Sequence, residues 1–220
     1  MDRALRQGAD GVEVDVRVTS DGVPVCHHDP GLRRTADDPR HVATSGHDEL
    51  PWIGSHRIPR LSEVVDLVAG RGRLVVEVKT PHWPVGAATG TVEAVVAVLR
   101  RHRLEHVTVS SFDRPRVLHL RRSGIPVRTA LLGRPGVPFG VLLRRALLDG
   151  HDQMHPHIGS VLSRPELVER AAAQGIAVTA WTVDRPLHLL RLAEAGVEAA
   201  ICDDPRAARQ ALFPRLAEAG

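Results

Sequence analysis

Two carboxylates, two positions apart, are where chemistry first shows in this sequence. In GVEVDV (11–16), Glu13 and Asp15 alternate with Val12, Val14 and Val16. Successive strand residues point to opposite faces, so the valines share one face and the acids the other. LVVEVKT (74–80) repeats the pattern: Val76 and Val78 fall on one face, and Val75, Glu77 and Lys79 on the other. Acids on a covered face are costly unless they are paired or hold a cation. Glu13, Asp15 and Glu77, brought together from two parallel strands, form an all-oxygen ligand set. That set suits Mg²⁺ or Ca²⁺ better than zinc. The rival reading, solvated charges on a half-exposed strand, fits poorly with a parallel sheet covered on both faces.

Lys79 is the single lysine among 29 basic residues. It sits two positions after Glu77 on the same face, where a compact ammonium suits phosphate or carboxylate oxygens better than a planar guanidinium. His27-His28-Asp29 follows the first acidic strand and a Ser20-Asp21-Gly22 turn. A histidine beside a cation and a phosphate is a ready general acid/base. His155-Pro156-His157 could be a metal pair, but reads better as a surface loop.

The elements that must position these residues alternate. Strands are expected at 11–18, 74–78, 106–111, 126–132, 176–183 and 197–204, with a short extended piece at 24–28. Helices are expected at 91–103, 113–124, 139–150, 164–175, 185–196 and 205–213; residues 151–158 stay ambiguous. Strands alternating with helices of this length mean βαβ units and a parallel sheet. Seven units entered in mid-helix suggest a (β/α)₈ barrel short of its first strand, since such barrels typically need about 250 residues. The rival is an open doubly wound sheet, but no glycine-rich phosphate-binding motif follows any strand. Residues 29–60 form a long polar insertion without elements of its own, and such loops tend to be functional. The 220 residues read as one domain.

Composition excludes several classes. The chain is 43% hydrophobic and 25% charged, which suits a soluble globular domain. No apolar run is long enough to span a membrane, so stable insertion is not expected. The arginines are scattered among acids and the net charge is only +3, so no nucleic-acid partner is expected. Scarce Lys, Asn and Tyr point to a GC-rich genome. Cys26 and Cys202 lie far apart, which argues against a disulfide framework or a zinc–cysteine site. MDRALRQGAD has no apolar signal core, so the chain as written is expected in the cytoplasm. A signal ahead of Met1 would make it secreted.

GADGVEVDVRVTSDGVPVCHHDPGLRRT (8–35) resembles the signature of the glycerophosphodiester phosphodiesterases. That signature reads GAD-x-[IV]-E-x-D-[VL], then T-x-D-G, then V-x-x-HD-x-x-L-x-RT. The resemblance continues in order through IPRLSEVVDL (58–67), VVEVK (75–79), VSSFD (109–113), AWTVD (180–184) and ICDDP (201–205). It implies a TIM barrel that hydrolyses glycerophosphodiesters to an alcohol and glycerol 3-phosphate with a divalent cation. It implies Glu13, Asp15 and Glu77 as metal ligands, His28 as a catalytic histidine, Lys79 at the phosphate and Trp181 lining the substrate pocket. The family also opens with a strand carrying His-Arg-Gly, whose histidine is the second half of the acid/base pair, and nothing like it precedes Glu13. Either the start codon is placed late or that strand is absent, and reduced activity is the expectation. The alternatives are an inactive remnant that binds a cation or phosphoester, and a related phospholipase-type phosphodiesterase. Head group, preferred cation and oligomeric state have no signal in the sequence.

Overall fold

The structure, a computed structural model, describes residues 1–80, 90–102 and 106–213. The chain divides into two compact units, Glu13–Val127 and Met1–Val12 with Arg128–Gly220. In chain order the first elements are α1 (Asp2–Arg6), β1 (Gly11–Val18), β2 (Pro24–Cys26), α2 (Arg33–Ala36), α3 (Leu61–Val68), β3 (Arg73–Val78), α4 (Thr91–Arg100), β4 (Val107–Ser111) and α5 (Arg114–Arg122). Then come β5 (Arg128–Gly133), α6 (Phe139–Asp149), β6 (Gln153–Pro156), α7 (Ile158–Ser163), α8 (Glu166–Ala173), β7 (Ala177–Ala180), α9 (Pro186–Glu194), β8 (Ala199–Ala200) and α10 (Pro205–Leu212). The helix expected to run to residue 103 ends at Arg100, and Arg103 lies outside the described residues.

In the unit Glu13–Val127 the strand order is β2-β1-β3-β4. β2 folds back antiparallel on β1, pairing Val16 with Cys26 and Val18 with Pro24. β3 and β4 are parallel, with Leu74 opposite Val107 and Glu77 opposite Ser110. The valine face behaves as alternation requires: Val14, Val16, Val76 and Val78 are all buried. Amphipathic helices supply the cover, α3 through Val64, Val65 and Val68, and α4 through Val95 and Leu99. Each such side chain contributes about 1.5–3 kcal/mol by leaving water.

The insertion departs from expectation. It carries α2 and two 3₁₀ turns, Val42–Thr44 and His47–Glu49. Val25, Leu32, Val42 and Ile58 form a small core of their own, with Leu50 and Ile53 packed against it. The composition looked structureless because these apolar residues are widely spaced; only chain reversal, such as the bridge between Gly31 and His41, brings them together. Thr19 and Asp21 anchor it: Thr19 donates its hydroxyl to Asp21, whose carboxylate accepts the His47 amide at 3.1 Å.

In the second unit β5, β6, β7 and β8 are consecutive and parallel. β8 is only two residues long, against the eight expected, although Ile201 still donates to the Ala180 carbonyl at 2.8 Å. Gly8 has φ +90°, and a Cβ there would lie 2.8 Å from Arg209 Cδ. Only glycine fits where Arg209 donates to the Gly8 carbonyl at 3.1 Å.

β6 corrects the reading of His155-Pro156-His157 as a surface loop. His155 is completely buried, and its Nε2–H donates to Gln153 Oε1 at 3.1 Å. Its Nδ1 has no hydrogen-bond partner among the described residues. Burial alone pushes the His155 pKa down to about 3. The ordinary histidine value is about 6.5, so the unfolded chain takes up a proton that the folded chain refuses. Stability contributed by neutral His155 is therefore complete above pH 6.5 and is lost as pH falls toward 3. Urea unfolding should show the loss at up to about 1.4 kcal/mol per pH unit below 6.5, with a shallower slope for His155→Gln. Equal slopes for the two proteins would refute this account.

Candidate active site

Period-2 alternation along β1 places Glu13, Asp15 and Arg17 on one face. Hydrogen bonding of Lys79 N to Val16 O at 3.0 Å sets the end of β3 beside them. One carboxylate oxygen each from Glu13, Asp15 and Glu77 lies within 4.8 Å of the others. Lys79 Nζ stands between two of these acids, 2.7 Å from Asp15 Oδ1 and 2.6 Å from Glu77 Oε1. Burial opposes the charge on Lys79, but its hydrogen bonds to Asp15 and Glu77 outweigh this and raise its pKa. Burial is also the main influence on Glu77, raising its pKa against the pull of Lys79. Glu13 is pushed up to about 8, first by burial and then by the charges of Asp15 and Glu77, with Lys79 opposing. The burial that pushes Glu13 up to about 8 keeps it protonated near neutral pH, so this third acid ionises only when further positive charge arrives. A hard cation would supply that charge, and the oxygen-only donors match its preference. The residues present fit such an ion.

The His-His-Asp stretch resolves into separate roles. His27 is buried, and its Nδ1–H donates to the Asp29 carbonyl at 2.8 Å. Its backbone N–H donates to Asp15 O at 2.9 Å, fixing the segment after β2 against the acidic strand. His28 is the exposed member, with 65% of its side chain accessible. Its Nδ1–H donates to Asp29 Oδ1 at 2.7 Å, and Arg34 Nε donates to the other Asp29 oxygen at 2.5 Å. These two bonds hold the Asp29 carboxyl far below the usual range. The bond to Asp29 engages Nδ1 and leaves Nε2 as the other ring nitrogen.

Of the residues named from the sequence, Glu13, Asp15, Glu77, Lys79 and His28 all belong to the unit Glu13–Val127. Trp181 belongs to the other unit. It is half-buried just after β7, and its Nε1–H donates to the His155 carbonyl at 3.0 Å. Its ring meets that of His157 edge-on, with centroids 5.3 Å apart. His157 in turn caps α7, accepting the Gly159 amide at 3.1 Å.

Arg17 was missed, although the alternation that selected Glu13 and Asp15 also selects it. Its Nε and Nη2 donate to the His28 carbonyl at 3.0 and 2.8 Å, and its Nη1 to the Thr80 carbonyl at 3.4 Å. Several other matched motifs serve the scaffold. Ser111 donates to the Val78 carbonyl at 2.7 Å, and Asp113 caps α5. Asp184 accepts the Asp203 amide at 3.1 Å, and Asp204 caps α10. Cys26 and Cys202 are free thiols. Burial, helped by Asp15 and Glu13, pushes Cys26 up to about 12, so it is no nucleophile at neutral pH.

Comparison with known proteins identifies the family. The pattern of the glycerophosphoryl diester phosphodiesterase family matches residues 1–207. A glycerophosphodiester phosphodiesterase from Caldanaerobacter subterraneus subsp. tengcongensis is 30% identical over 217 residues, covering 92% of this chain and 86% of the relative. An Oleispira antarctica phosphodiesterase, solved in complex with the product sn-glycerol-3-phosphate, superposes with a TM-score of 0.83 at 25% identity. The match covers 96% of this chain and 88% of that one. A glycerophosphodiester phosphodiesterase from Parabacteroides distasonis, 22% identical, shares the fold with a TM-score of 0.84 over 98% of this chain and 88% of its own. The α/β fold is thus of the TIM-barrel type found in these phosphodiesterases. By sequence and by fold, the chain belongs to the glycerophosphoryl diester phosphodiesterase family.

Proposed function

We propose that the protein hydrolyses small glycerophosphodiesters to an alcohol and glycerol 3-phosphate, using a divalent cation, Mg²⁺ or Ca²⁺, held by Glu13, Asp15 and Glu77. The observation that carries this reading is the convergence of Glu13, Asp15 and Glu77 to within 4.8 Å, with Lys79 bonded to two of them. When bound, the cation supplies Lewis-acid polarisation of the phosphoryl oxygens. Lys79 offsets the charge that develops on those oxygens. His28, steered by Asp29 through Nδ1, takes or returns a proton at Nε2.

The test is release of glycerol 3-phosphate from glycerophosphocholine, measured with Mg²⁺, with Ca²⁺, and after removal of divalent ions by EDTA. Product is expected only with a cation present. Its absence under every condition, or full activity in EDTA, would overturn the proposal. The 220 residues contain no His-Arg-Gly. A polypeptide supplying His28 alone is therefore proposed to be slower than an upstream-extended one bearing that strand, by about 10²–10⁴-fold. The same assay on both polypeptides decides this, and equal rates would reject it.

A further inference from the structure

We infer that Arg17 is the positioning residue for His28, an inference that rests on the hydrolytic reading above. Arg17 lies two positions after Asp15 on the acidic face of β1. Its guanidinium reaches two stretches of main chain at once: the His28 carbonyl through Nε and Nη2, and the Thr80 carbonyl, next to Lys79, through Nη1. One rigid planar group therefore ties the backbone of the proton-transfer residue to the end of the strand that carries Glu77 and Lys79.

Apart from the bond of the His28 ring to Asp29, the other attachments of this segment lie on either side of residue 28. His27 N–H is bonded to Asp15 O, and the Asp29 carboxylate to Arg34. Among the described residues, Arg17 is the hydrogen-bond partner of the His28 carbonyl itself. Two converging donors fix both distance and direction, which the single ammonium of lysine does less well. The arrangement also has a cost, because burial disfavours the Arg17 charge even with Asp15, Glu77 and Asp29 nearby. Such a cost is retained where geometry matters, because a 1 Å misplacement of a reacting group slows chemistry by about 10²-fold.

Arg17→Gln and Arg17→Lys test this. In glycerophosphocholine hydrolysis, Arg17→Gln is expected to lower kcat roughly 10- to 100-fold, with KM little changed, and Arg17→Lys to recover part of the loss. In the cation-free protein, the His28 imidazole NMR resonance, assigned with His28→Asn, should broaden or split in Arg17→Gln. Wild-type kcat in Arg17→Gln overturns the inference. So does a change confined to KM, or a lowered kcat with an unperturbed His28 resonance, since Arg17 would then act on substrate directly. If Arg17→Gln fails to fold, Arg17→Lys carries the same comparison. If the wild type hydrolyses no glycerophosphodiester, the functional reading fails, while the His28 resonance still decides what Arg17 does.

Discussion

Glu77→Gln is expected to reduce turnover of glycerophosphocholine by about 10³-fold, corresponding to several kcal/mol of lost transition-state stabilisation. The substitution keeps volume and shape but removes one of three charges that can face a cation. Its second effect is on cation-induced stabilisation. A ligand that binds only the folded state raises the melting temperature by mass action, so Mg²⁺ or Ca²⁺ should stabilise the wild type and leave Glu77→Gln nearly unmoved. Lys79 is also bonded to Asp15, at 2.7 Å, so the substitution leaves it a charged partner. The cation-free melting temperature should therefore change far less than the rate. A variant with wild-type turnover and a wild-type thermal shift would show that Glu77 is no ligand.

His28→Asn should lower kcat by about 10²–10⁴-fold, the usual contribution of a positioned acid/base. The cost in stability should stay within about 0.5 kcal/mol, because the ring is mostly exposed and contacts chiefly Asp29. The neighbouring histidine supplies the control. His27 is buried and bonded on both sides, by the Asp29 carbonyl at Nδ1 and Thr35 Oγ1, 3.0 Å from Nε2. Loss of its side chain should act first through folding. Urea melts beside steady-state rates separate the two cases. Comparable turnover for wild type and His28→Asn would remove His28 from the mechanism.

Much of this was legible from residue order. Strand geometry alone pairs Glu13 with Asp15 on one face of β1 and Glu77 with Lys79 on one face of the β3 strand, because the side-chain direction reverses at every residue whatever the rest of the chain does. The valines between them had to be buried, and they are. Within His27-His28-Asp29 the family resemblance singled out His28, but strand geometry alone did not divide the two histidines. Both histidines follow the same short strand, and the choice depends on which ring meets Thr35 and the Asp29 carbonyl. His155 was misread for a related reason. Two histidines around a proline look polar and loop-like, and only Gln153 two residues earlier on β6 gives the buried ring a partner. The insertion core was hidden because Val25, Leu32, Val42 and Ile58 follow no helical or strand period.

Residue order by itself thus determined the alternating α/β architecture, the acidic face and its lone lysine, because these depend on backbone periods of 2 and 3.6 that act locally. The 4.8 Å convergence of the carboxylates, the raised pKa of Glu13 among them, the exposure of His28 and the grip of Arg17 on its carbonyl were decided only by the tertiary structure. Each is a distance between groups far apart in the chain, and burial and electrostatics depend on such distances rather than on order along the chain.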